Sequence, residues 1–544
     1  MIKLSGKNIF LIFITSFIYN FMVIIFSFLL MEIIDNINQY NSADFKIYSV
    51  LAVAAIVGQI CFFAVYNVLK GKIAEKQMVI IKTRVLKGIF KFHISYFHKS
   101  SVDDYTSFFY NDLGYIKEKY INRIFDLIEN FGMLIMAAVS IIFIYPYYAV
   151  AIFLIVLIAL FLPILFSKKS VSFMQRISEK SQSLMAWLQN NFKGFEVIKS
   201  FDISKFIIEE GEVNIAGFEN AEYKFDLFMN FVQIGLNFIL TILTLLTYIV
   251  GGYLVLRQQI TMGALIALSQ LLFKVASPVV NITSSIGDIN STKNIREKLN
   301  EIQYYEPEKK LKLETKTGNN EYIYGLENVS FAYPEQDCII KNINLLLMKG
   351  KKYAIVGENG SGKSTLLKLL AGYFEDYTGN IFLYQNEIRL IDEKDISKAI
   401  SFITQNGFIF NKSIEENIFV MRENQSTKDI DKYFNALGFD NVLLKHSDGL
   451  KYKLDENNTL SGGELQKISI LRTLLKNSKI LLVDEGDANL DKDSKTNLYN
   501  IIKEEYYDLV IVVTHQLDES KKNIFDEIIY LEEGQIKKYF HKVG

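Results

Sequence analysis

A glycine-rich loop in the second half of the chain carries the residue types that bind phosphate. The apolar run 353–356 predicts a buried strand, the stretch 366–372 predicts a helix, and the loop between them has the pattern Gly-x4-Gly-Lys-Ser. In such a unit, backbone N–H groups and the helix N-terminus bind phosphate oxygens. Lys363 would reach the β- and γ-phosphates, and Ser364 would offer its hydroxyl to Mg²⁺. The loop consists of Gly357, Glu358, Asn359, Gly360, Ser361, Gly362, Lys363, Ser364 and Thr365.

Two further apolar runs end in residues that suit phosphate hydrolysis. The run 480–483 is followed by Asp484, which suits Mg²⁺, and by Glu485, which can polarise the water that attacks the γ-phosphate. The run 509–513 leads through Thr514 to His515. A histidine at this place either contacts the γ-phosphate and helps to orient the attack or serves the structure alone.

A second anion-binding helix start lies between these runs. It is formed by Leu460, Ser461, Gly462, Gly463 and Glu464 and opens a predicted helix through Leu475. A serine followed by two glycines at a helix N-terminus favours an anionic ligand. One domain needs only one phosphate site, so this second site is predicted to serve a nucleotide held by a partner copy.

This half of the chain resembles, end to end, the nucleotide-binding domain of ATP-binding cassette (ABC) transporters. The resemblance implies an α/β P-loop NTPase domain over 321–544 that binds ATP and Mg²⁺, with Ser364, Gln405 and Asp484 at the metal. It also implies that Tyr333 stacks on adenine and that Gln405 links Mg²⁺ to the membrane helices. The resemblance rests on Tyr333, 357–365, Gln405, 460–464, 480–485, Asp491 and His515.

The family pattern also assigns roles across a dimer. It implies that Ser461 and Gly463 touch the γ-phosphate bound by the opposite subunit and that Asp491 lies on the loop that communicates between subunits. The chain departs from the pattern at Glu464, where glutamine is commoner, and in the loop 486–491, where small residues are usual.

The first half of the chain is built from long uncharged stretches. Each reaches the roughly 20 residues that a helix needs to cross a hydrocarbon core, and Pro146 marks a turn within the longest of them. An all-α transmembrane domain over 1–303 with long cytoplasmic extensions is predicted, joined to the second half by a linker over 304–320. Its six predicted spans are about 8–34, 46–70, 124–145, 147–167, 226–256 and 260–287.

Charge gives the expected orientation and excludes other classes of protein. Lysine and arginine gather before span one and after spans two, four and six, which predicts that both termini are cytoplasmic. Over the whole chain, 59 Lys+Arg face 60 Asp+Glu, which disfavours a nucleic-acid binder. Two cysteines exclude a disulfide framework and a cysteine-rich zinc site. Residue usage favours a bacterial plasma membrane, and too few residues precede span one for a leader-cleaving peptidase domain.

Six spans fused to one cassette resemble an exporter-type ABC half-transporter. The resemblance implies a second half-transporter as partner; the complete catalytic set favours a homodimer, while a heterodimer stays open. It implies an ATPase coupled to export of a peptide or another amphipathic small molecule from the cytoplasm or inner leaflet by alternating access. The alternatives are a lipid or lipid-linked glycan flippase and, in another class, an ATP-gated membrane sensor or regulator.

The spans hold a few polar residues that could meet the transported molecule. Lys274 is the one charged residue between 258 and 286 and either lines the pathway, where it would meet a carboxylate, or snorkels to the surface. Asn230, Gln233, Asn237 and Thr241 fall on one stripe of span five. They either face a polar cavity, with Asn237 as a substrate contact, or bond between helices, as we expect for at least half of them. At the outer end of span one, Glu32 and Asp35 are expected to form a solvated rim.

Overall fold

The computed structural model divides the chain into two compact units. One contains residues 1–90 and 101–305, and the other contains residues 91–100 and 306–544. All sequence-predicted site residues lie in the described part of the chain. Described are residues 5–307, 310–313, 322–334, 336–405, 407–420, 430–444, 448–454, 460–476, 478–487, 489–515, 517 and 519–541. The side chains of 148–168, 236, 240, 441, 519–520 and 538–541 lie outside this description.

The first unit is helical. Two π-helical turns, Phe108–Asp112 and Lys117–Ile121, flank α5, so the chain from α4 to α6 is almost continuously helical. Its helices are α1 (Gly6–Asn38), α2 (Ser42–Ile89), α4 (Val102–Ser107), α5 (Leu113–Ile116), α6 (Asn122–Ile144), α7 (Pro146–Lys193), α8 (Phe195–Ser200), α9 (Ser204–Leu256), α10 (Met262–Ser291) and α11 (Lys293–Gln303); α3 (Ile94–Phe97) belongs to the second unit.

Several of these helices are long and apolar enough to cross a membrane. By length and composition, five stretches of the described residues qualify: 6–38, 42–89, 102–144, 204–256 and 262–291. The predicted fourth span, 147–167, lies in α7, where side chains fall outside the described part. The predicted linker 304–320 likewise includes residues 308–309 and 314–320, which are outside it. The all-α fold class expected for this half is confirmed, and its apolar contacts join α1, α6, α9 and α10.

Asp35 is not the solvated rim residue expected from the sequence. Its Oδ1 accepts the backbone N–H of Gly263 at 2.8 Å, and its Oδ2 accepts the hydroxyl of Thr261 at 2.6 Å. Thr261 in turn caps α10 by accepting the N–H of Ala264. A carboxylate at a helix N-terminus satisfies donors that have no partner inside the helix. Asp35 therefore ties the end of α1 to the start of α10.

A second polar tie joins α2, α6 and α10 through charged side chains. Asp288 on α10 accepts from Arg123 Nε at 2.7 Å and from Lys119 at 3.1 Å. Arg123 also contacts Asp126 at 3.0 Å, and Asp126 pairs with Lys70 of α2. Each carboxylate is partly buried and faces two cations, so the network keeps its charges compensated.

The second unit is an α/β domain with two sheets. Its strands are β1 (Tyr322–Ala332), β2 (Cys338–Met348), β3 (Lys351–Val356), β4 (Thr378–Leu383), β5 (Asn386–Glu387), β6 (Ile400–Ile403), β7 (Ile480–Asp484), β8 (Leu509–Thr514), β9 (Glu527–Glu532) and β10 (Gln535–His541). Its helices are α3, α12 (Lys363–Leu370), α13 (Glu393–Ala399), α14 (Ile414–Ile418), α15 (Ile430–Ala436), α16 (Asp440–Leu444), α17 (Gly462–Leu474), α18 (Lys492–Glu504) and α19 (Glu519–Lys522).

The larger sheet places the ends of its strands together. Its order is β10-β9-β3-β8-β7-β6, and the neighbours from β9 to β6 run parallel. Alternate residues of β3, β7 and β8 face two separate apolar cores, which is why these strands read as continuous apolar runs. The smaller antiparallel sheet has the order β2-β1-β4-β5. The P-loop NTPase fold class predicted for this half is confirmed.

Residues 91–100, from the connection between α2 and α4, pack with the cassette. His93 begins α3 by accepting the N–H of Ser95 on Nδ1. Its Nε2 lies 3.0 Å from Glu393 and 3.3 Å from Glu375. Burial lowers the pKa of His93, and the two carboxylates oppose that shift. The sequence shows this segment only as a polar helical stretch between spans. It does not predict that the segment packs in the second unit.

Candidate nucleotide site

The phosphate-binding loop joins β3 to α12 through a backbone that requires glycine. Gly360 and Gly362 have φ values of +83° and +99°, in the left-handed region that L side chains rarely adopt. At Gly357, whose φ is ordinary, a Cβ would lie 2.2 Å from the carbonyl oxygen of Leu531. A larger residue would therefore displace the neighbouring strand β9 or distort the loop.

The Lys363 side chain is folded back on its own loop. Its Nζ donates to the carbonyl oxygens of Gly357 at 2.9 Å and Glu358 at 2.7 Å. Burial lowers the pKa of Lys363, and the carboxylates of Glu485 and Asp484 oppose the shift. A polyanion bound in the loop would compensate this buried cation more fully than two neutral carbonyls do.

Two hydroxyl groups of the loop are placed for phosphate and metal. The buried Ser361 Oγ has no hydrogen-bond partner among the described residues, which suits a phosphate oxygen. The Ser364 hydroxyl donates to Asp484 Oδ1 at 2.8 Å. Burial raises the pKa of Asp484, while Ser364 and nearby lysines oppose the shift. A hydroxyl beside a desolvated carboxylate fits Mg²⁺, whose charge would offset the cost of burying that carboxylate.

Glu485, Gln405 and His515 converge after the ends of β7, β6 and β8. Glu485 Oε1 lies 2.6 Å from His515 Nε2, and Glu485 Oε2 accepts the amide of Gln405 at 3.0 Å. Glu485 itself has a φ of +48°, which is unusual for a residue with a side chain. The structure thus brings Gln405 to the predicted general base, next to the predicted metal ligands Ser364 and Asp484.

Tyr333 lies beside the start of α12. Its hydroxyl is 3.4 Å from Thr365 Oγ1, and its ring packs edge-on against Phe331 and Phe374. These contacts hold an aromatic ring next to the phosphate-binding loop. The exposed Asn359 forms the tip of that loop.

The second anion-binding helix start is fixed by its own contacts. Ser461 caps α17, and a Cβ at Gly463 would lie 2.6 Å from the carbonyl oxygen of Asn489. Asp491 caps α18 and pairs with Lys467 at 2.8 Å. The hydrogen bond from Lys467 holds the pKa of Asp491 well below its usual range. Gly462, the first residue of α17, has open space where a Cβ would stand.

Sequence reasoning missed Gln466, which joins three catalytic segments. Its amide donates to the carbonyls of Thr404 at 3.3 Å and Gly486 at 3.2 Å. The side chain is buried, so it links α17 to the segment that carries Gln405 and to the loop after Glu485. The only signal in the sequence is a polar residue two positions after the motif 460–464.

The membrane residues singled out from the sequence lie on α9 and α10. Asn237 lines an open cavity of about 510 Å³ together with Thr241, Thr244, Leu245, Tyr248 and Phe273. Lys274 follows Phe273, is partly exposed, and has no hydrogen bond or ion pair with the described residues. None of Asn230, Gln233, Asn237 and Thr241 makes a side-chain hydrogen bond to another described helix, and Thr241 bonds back to the Asn237 carbonyl. The expected interhelical bonds for half of them stay a prediction, because the side chains 148–168 of the neighbouring helix α7 lie outside the described part of the chain.

Comparison with protein families gives two matches along the chain. Residues 9–278 match the ABC transporter transmembrane region, and residues 340–488 match the ABC transporter family. The lactococcin-A transport/processing ATP-binding protein LcnC of Lactococcus lactis subsp. lactis is 26% identical and covers 98% of this chain and 75% of its own length. A putative export ATP-binding/permease protein of Rickettsia felis is 25% identical, covering 92% of this chain and 87% of its own.

A further relative and a solved structure belong to the same family of transporters. The mitochondrial iron-sulfur clusters transporter ATM1 of Kluyveromyces lactis is 28% identical, over 63% of this chain and 48% of its own length. A solved structure of a bacterial Atm1-family ABC exporter with ATP bound superposes with a TM-score of 0.84. At 18% identity over 98% of this chain and 95% of that one, the likeness concerns the fold.

Asp484→Asn tests whether the buried carboxylate is kept for a metal. Burial raises the pKa of Asp484 above its unfolded value, so the ionised form destabilises the fold at all pH values above about 4. The neutral amide keeps the Ser364 hydrogen bond without that cost. We expect Asp484→Asn to raise the melting temperature of the nucleotide-free protein and to abolish further stabilisation by Mg²⁺ with ATP.

Asp337→Asn is the matched control, because Asp337 is exposed in the same domain. It should change neither the melting temperature nor the response to Mg²⁺ and ATP. If Asp484→Asn lowers the melting temperature and still responds fully to Mg²⁺ and ATP, Asp484 is not the metal carboxylate.

Proposed function

Since the chain belongs to the ABC transporter family, we propose that it is an ATP-driven exporter. In this proposal it moves a peptide or another amphipathic small molecule from the cytoplasm or inner leaflet outward by alternating access. The observation that carries the proposal is the meeting of Lys363, Ser364, Asp484 and Glu485 at one sheet edge, in a chain with the ABC exporter fold.

ATP binding rearranges contacts that already exist. Lys363 leaves the carbonyl oxygens of its loop and pairs with the β- and γ-phosphates, and Ser361 donates its unpartnered hydroxyl. The Tyr333 ring, held beside the loop, stacks on the adenine. Ser364, Asp484 and Gln405 would hold Mg²⁺, which neutralises phosphate charge as the γ-phosphate is transferred.

Glu485 takes the proton of the attacking water. As the new phosphorus–oxygen bond forms, the bond to the β–γ bridging oxygen breaks and ADP leaves with that electron pair. His515 donates to one carboxylate oxygen of Glu485 and Gln405 to the other, so the base is oriented from both sides. A proton acceptor in this role contributes about 10²–10⁴-fold to a rate.

A second copy of the chain completes the site. Ser461 and Gly463 of one copy serve the γ-phosphate held by the other, and Asp491 lies on the loop next to that helix start. The pair Lys467–Asp491 and the bridge from Gln466 connect this helix to the loop after Glu485. Closure of two cassettes around ATP would then favour one of the two conformations of the transporter. Separation of the cassettes after hydrolysis would favour the other.

The transported molecule would lie in the groove between α9 and α10. On α10, the residues Gln270, Lys274, Ser277, Asn281 and Ser284 form a polar stripe at helical spacing that is partly or fully exposed. Exposing polar groups to lipid at membrane depth costs free energy. This face is therefore better suited to line a water-filled cavity shared with the partner. Tyr248 and Phe273 offer apolar surface, and Lys274 offers a cation for a carboxylate.

The same groove also suits an acyl chain, which keeps the flippase alternative as an outcome of the transport test. Leu245, Tyr248 and Phe273 make most of its wall apolar. The excess of lysine and arginine on alternate loops supports a multi-pass protein with both termini in the cytoplasm. Residue usage and the half-size design favour a bacterial plasma membrane.

Vesicles reconstituted with the purified protein test the proposal through Glu485→Gln. The amide has nearly the same size but cannot accept the proton, so ATP still binds while hydrolysis falls at least a hundredfold. Accumulation of labelled peptides in inside-out vesicles should need ATP and be lost in this variant. Glu504→Gln, an exposed change on α18, should retain full activity.

Other outcomes identify the alternatives. ATP-dependent movement of a labelled lipid without peptide accumulation would make the protein a flippase. ATP hydrolysis that responds to membrane ligands without movement of any cargo would make it a sensor or regulator and contradict the exporter proposal.

Lys274→Met and Lys274→Arg test the place of the cation in the groove. A charge-assisted hydrogen bond contributes about 1.5–3 kcal/mol, which corresponds to about 10- to 150-fold in affinity. Uptake of a short apolar peptide with a free C-terminal carboxylate should therefore fall in Lys274→Met and be retained in Lys274→Arg. The C-terminally amidated peptide should be handled equally by all three proteins, and wild-type uptake of both peptides by both variants would remove Lys274 from the pathway.

A further inference from the structure

The motif 460–464 ends in a carboxylate that satisfies its own helix start. Ser461 donates its backbone N–H to Glu464 Oε2 at 2.7 Å and its hydroxyl to the same oxygen at 3.0 Å. The N–H of Glu464 returns a hydrogen bond to Ser461 Oγ at 3.3 Å. Glu464 is buried. Both donors of Ser461 are therefore used inside one turn of α17.

A serine has a single hydroxyl proton, so the Ser461 hydroxyl cannot donate to Glu464 and to a phosphate oxygen at the same time. A hydrogen bond to a carboxylate is also roughly twice as strong as one between neutral groups. A phosphate that binds at this helix start must compete with the Glu464 carboxylate for the hydrogen bond of the Ser461 hydroxyl. It must also approach the negative charge of that carboxylate.

The helix itself cannot easily move to avoid this competition. Gly463 lies against the Asn489 carbonyl, Gln466 bonds to Thr404 and Gly486, and Lys467 pairs with Asp491. These contacts fix the first turns of α17 from two sides. What is free to change is the rotation of the Ser461 hydroxyl.

We propose that Glu464 is a positioning residue that holds the Ser461 hydroxyl away from the nucleotide and so raises the ATP concentration at which two cassettes close. This proposal rests on the proposed function, in which Ser461 serves the γ-phosphate of the second copy. A glutamine at this place accepts the same backbone N–H through its amide oxygen but carries no charge. It therefore keeps the helix cap but accepts a weaker hydrogen bond from the Ser461 hydroxyl, which a phosphate oxygen can then displace.

A second capping box in the same domain supplies a matched comparison. On α14, Glu416 accepts the backbone N–H of Ser413 at 3.0 Å and returns its own N–H to Ser413 Oγ at 3.1 Å. The hydrogen bonds from Ser413 hold the pKa of Glu416 below its usual range. Glu416 caps α14, which carries none of the residues of the proposed nucleotide site.

The test measures ATP hydrolysis by the full-length protein as a function of ATP concentration. Glu464→Gln should lower the KM for ATP about fivefold, with kcat within twofold of wild type and the melting temperature unchanged. Glu416→Gln, which removes the same charge from the same kind of cap, should leave KM and kcat unchanged. Ser461→Ala combined with Glu464→Gln should lose the gain, because the gain acts through the hydroxyl.

Each result decides one point. An unchanged or higher KM in Glu464→Gln overturns the proposal, and so does a gain that persists without Ser461. An equal gain in Glu416→Gln would show a general charge effect and also overturn it. If the wild-type protein hydrolyses no ATP, the proposed function fails instead, whereas active wild-type protein with an unaltered Glu464→Gln curve rejects only the role of Glu464.

Discussion

The parallel register of β6, β7, β8 and β3 is the constraint on which the nucleotide site depends. Val356 pairs with Thr514, Asp484 with Val513, and Ile403 with Val483. The four strands therefore end at one edge, and the residues that follow them are Gly357, His515, Glu485 and, two positions on, Gln405. Because apolar cores cover both faces of the sheet, a shift of one residue in any strand would move its side chains to the wrong face.

Burial at that edge leaves the charges of Lys363 and Asp484 only partly compensated in the absence of ligand. Burial pushes the pKa of Lys363 down and that of Asp484 up, so both groups are less stable charged than they would be in water. The opposite charges of a nucleotide phosphate and Mg²⁺ relieve both costs together. In the pair Lys467–Asp491, in contrast, the two charges compensate each other without a ligand. This ion pair holds the start of α18 against α17.

The parts of this arrangement that the sequence predicts are those set by neighbours along the chain. Glycine spacing, apolar runs and the residues that end them predict the phosphate-binding loop, Asp484 and Glu485 without knowledge of the fold. Gln466, the tie from Asp35 to α10 and the packing of residues 91–100 with the cassette were not predictable, because each depends on a contact between distant segments. Asp35 in particular looks like any charged residue at a helix end until Gly263 is placed beside it.

Disulfide formation between copies tests the central claim, that one site is completed by the helix start of a second copy. With the native Cys61 and Cys338 replaced by serine, cysteines at Asn359 and Ser461 would be introduced on separately tagged copies in a Glu485→Gln background. We predict a cross-linked dimer that forms with Mg²⁺ and ATP and disappears without nucleotide. Cross-linking to the same extent with and without ATP would contradict a site completed by a second copy. So would a disulfide that forms only within one chain when both cysteines are placed on that chain.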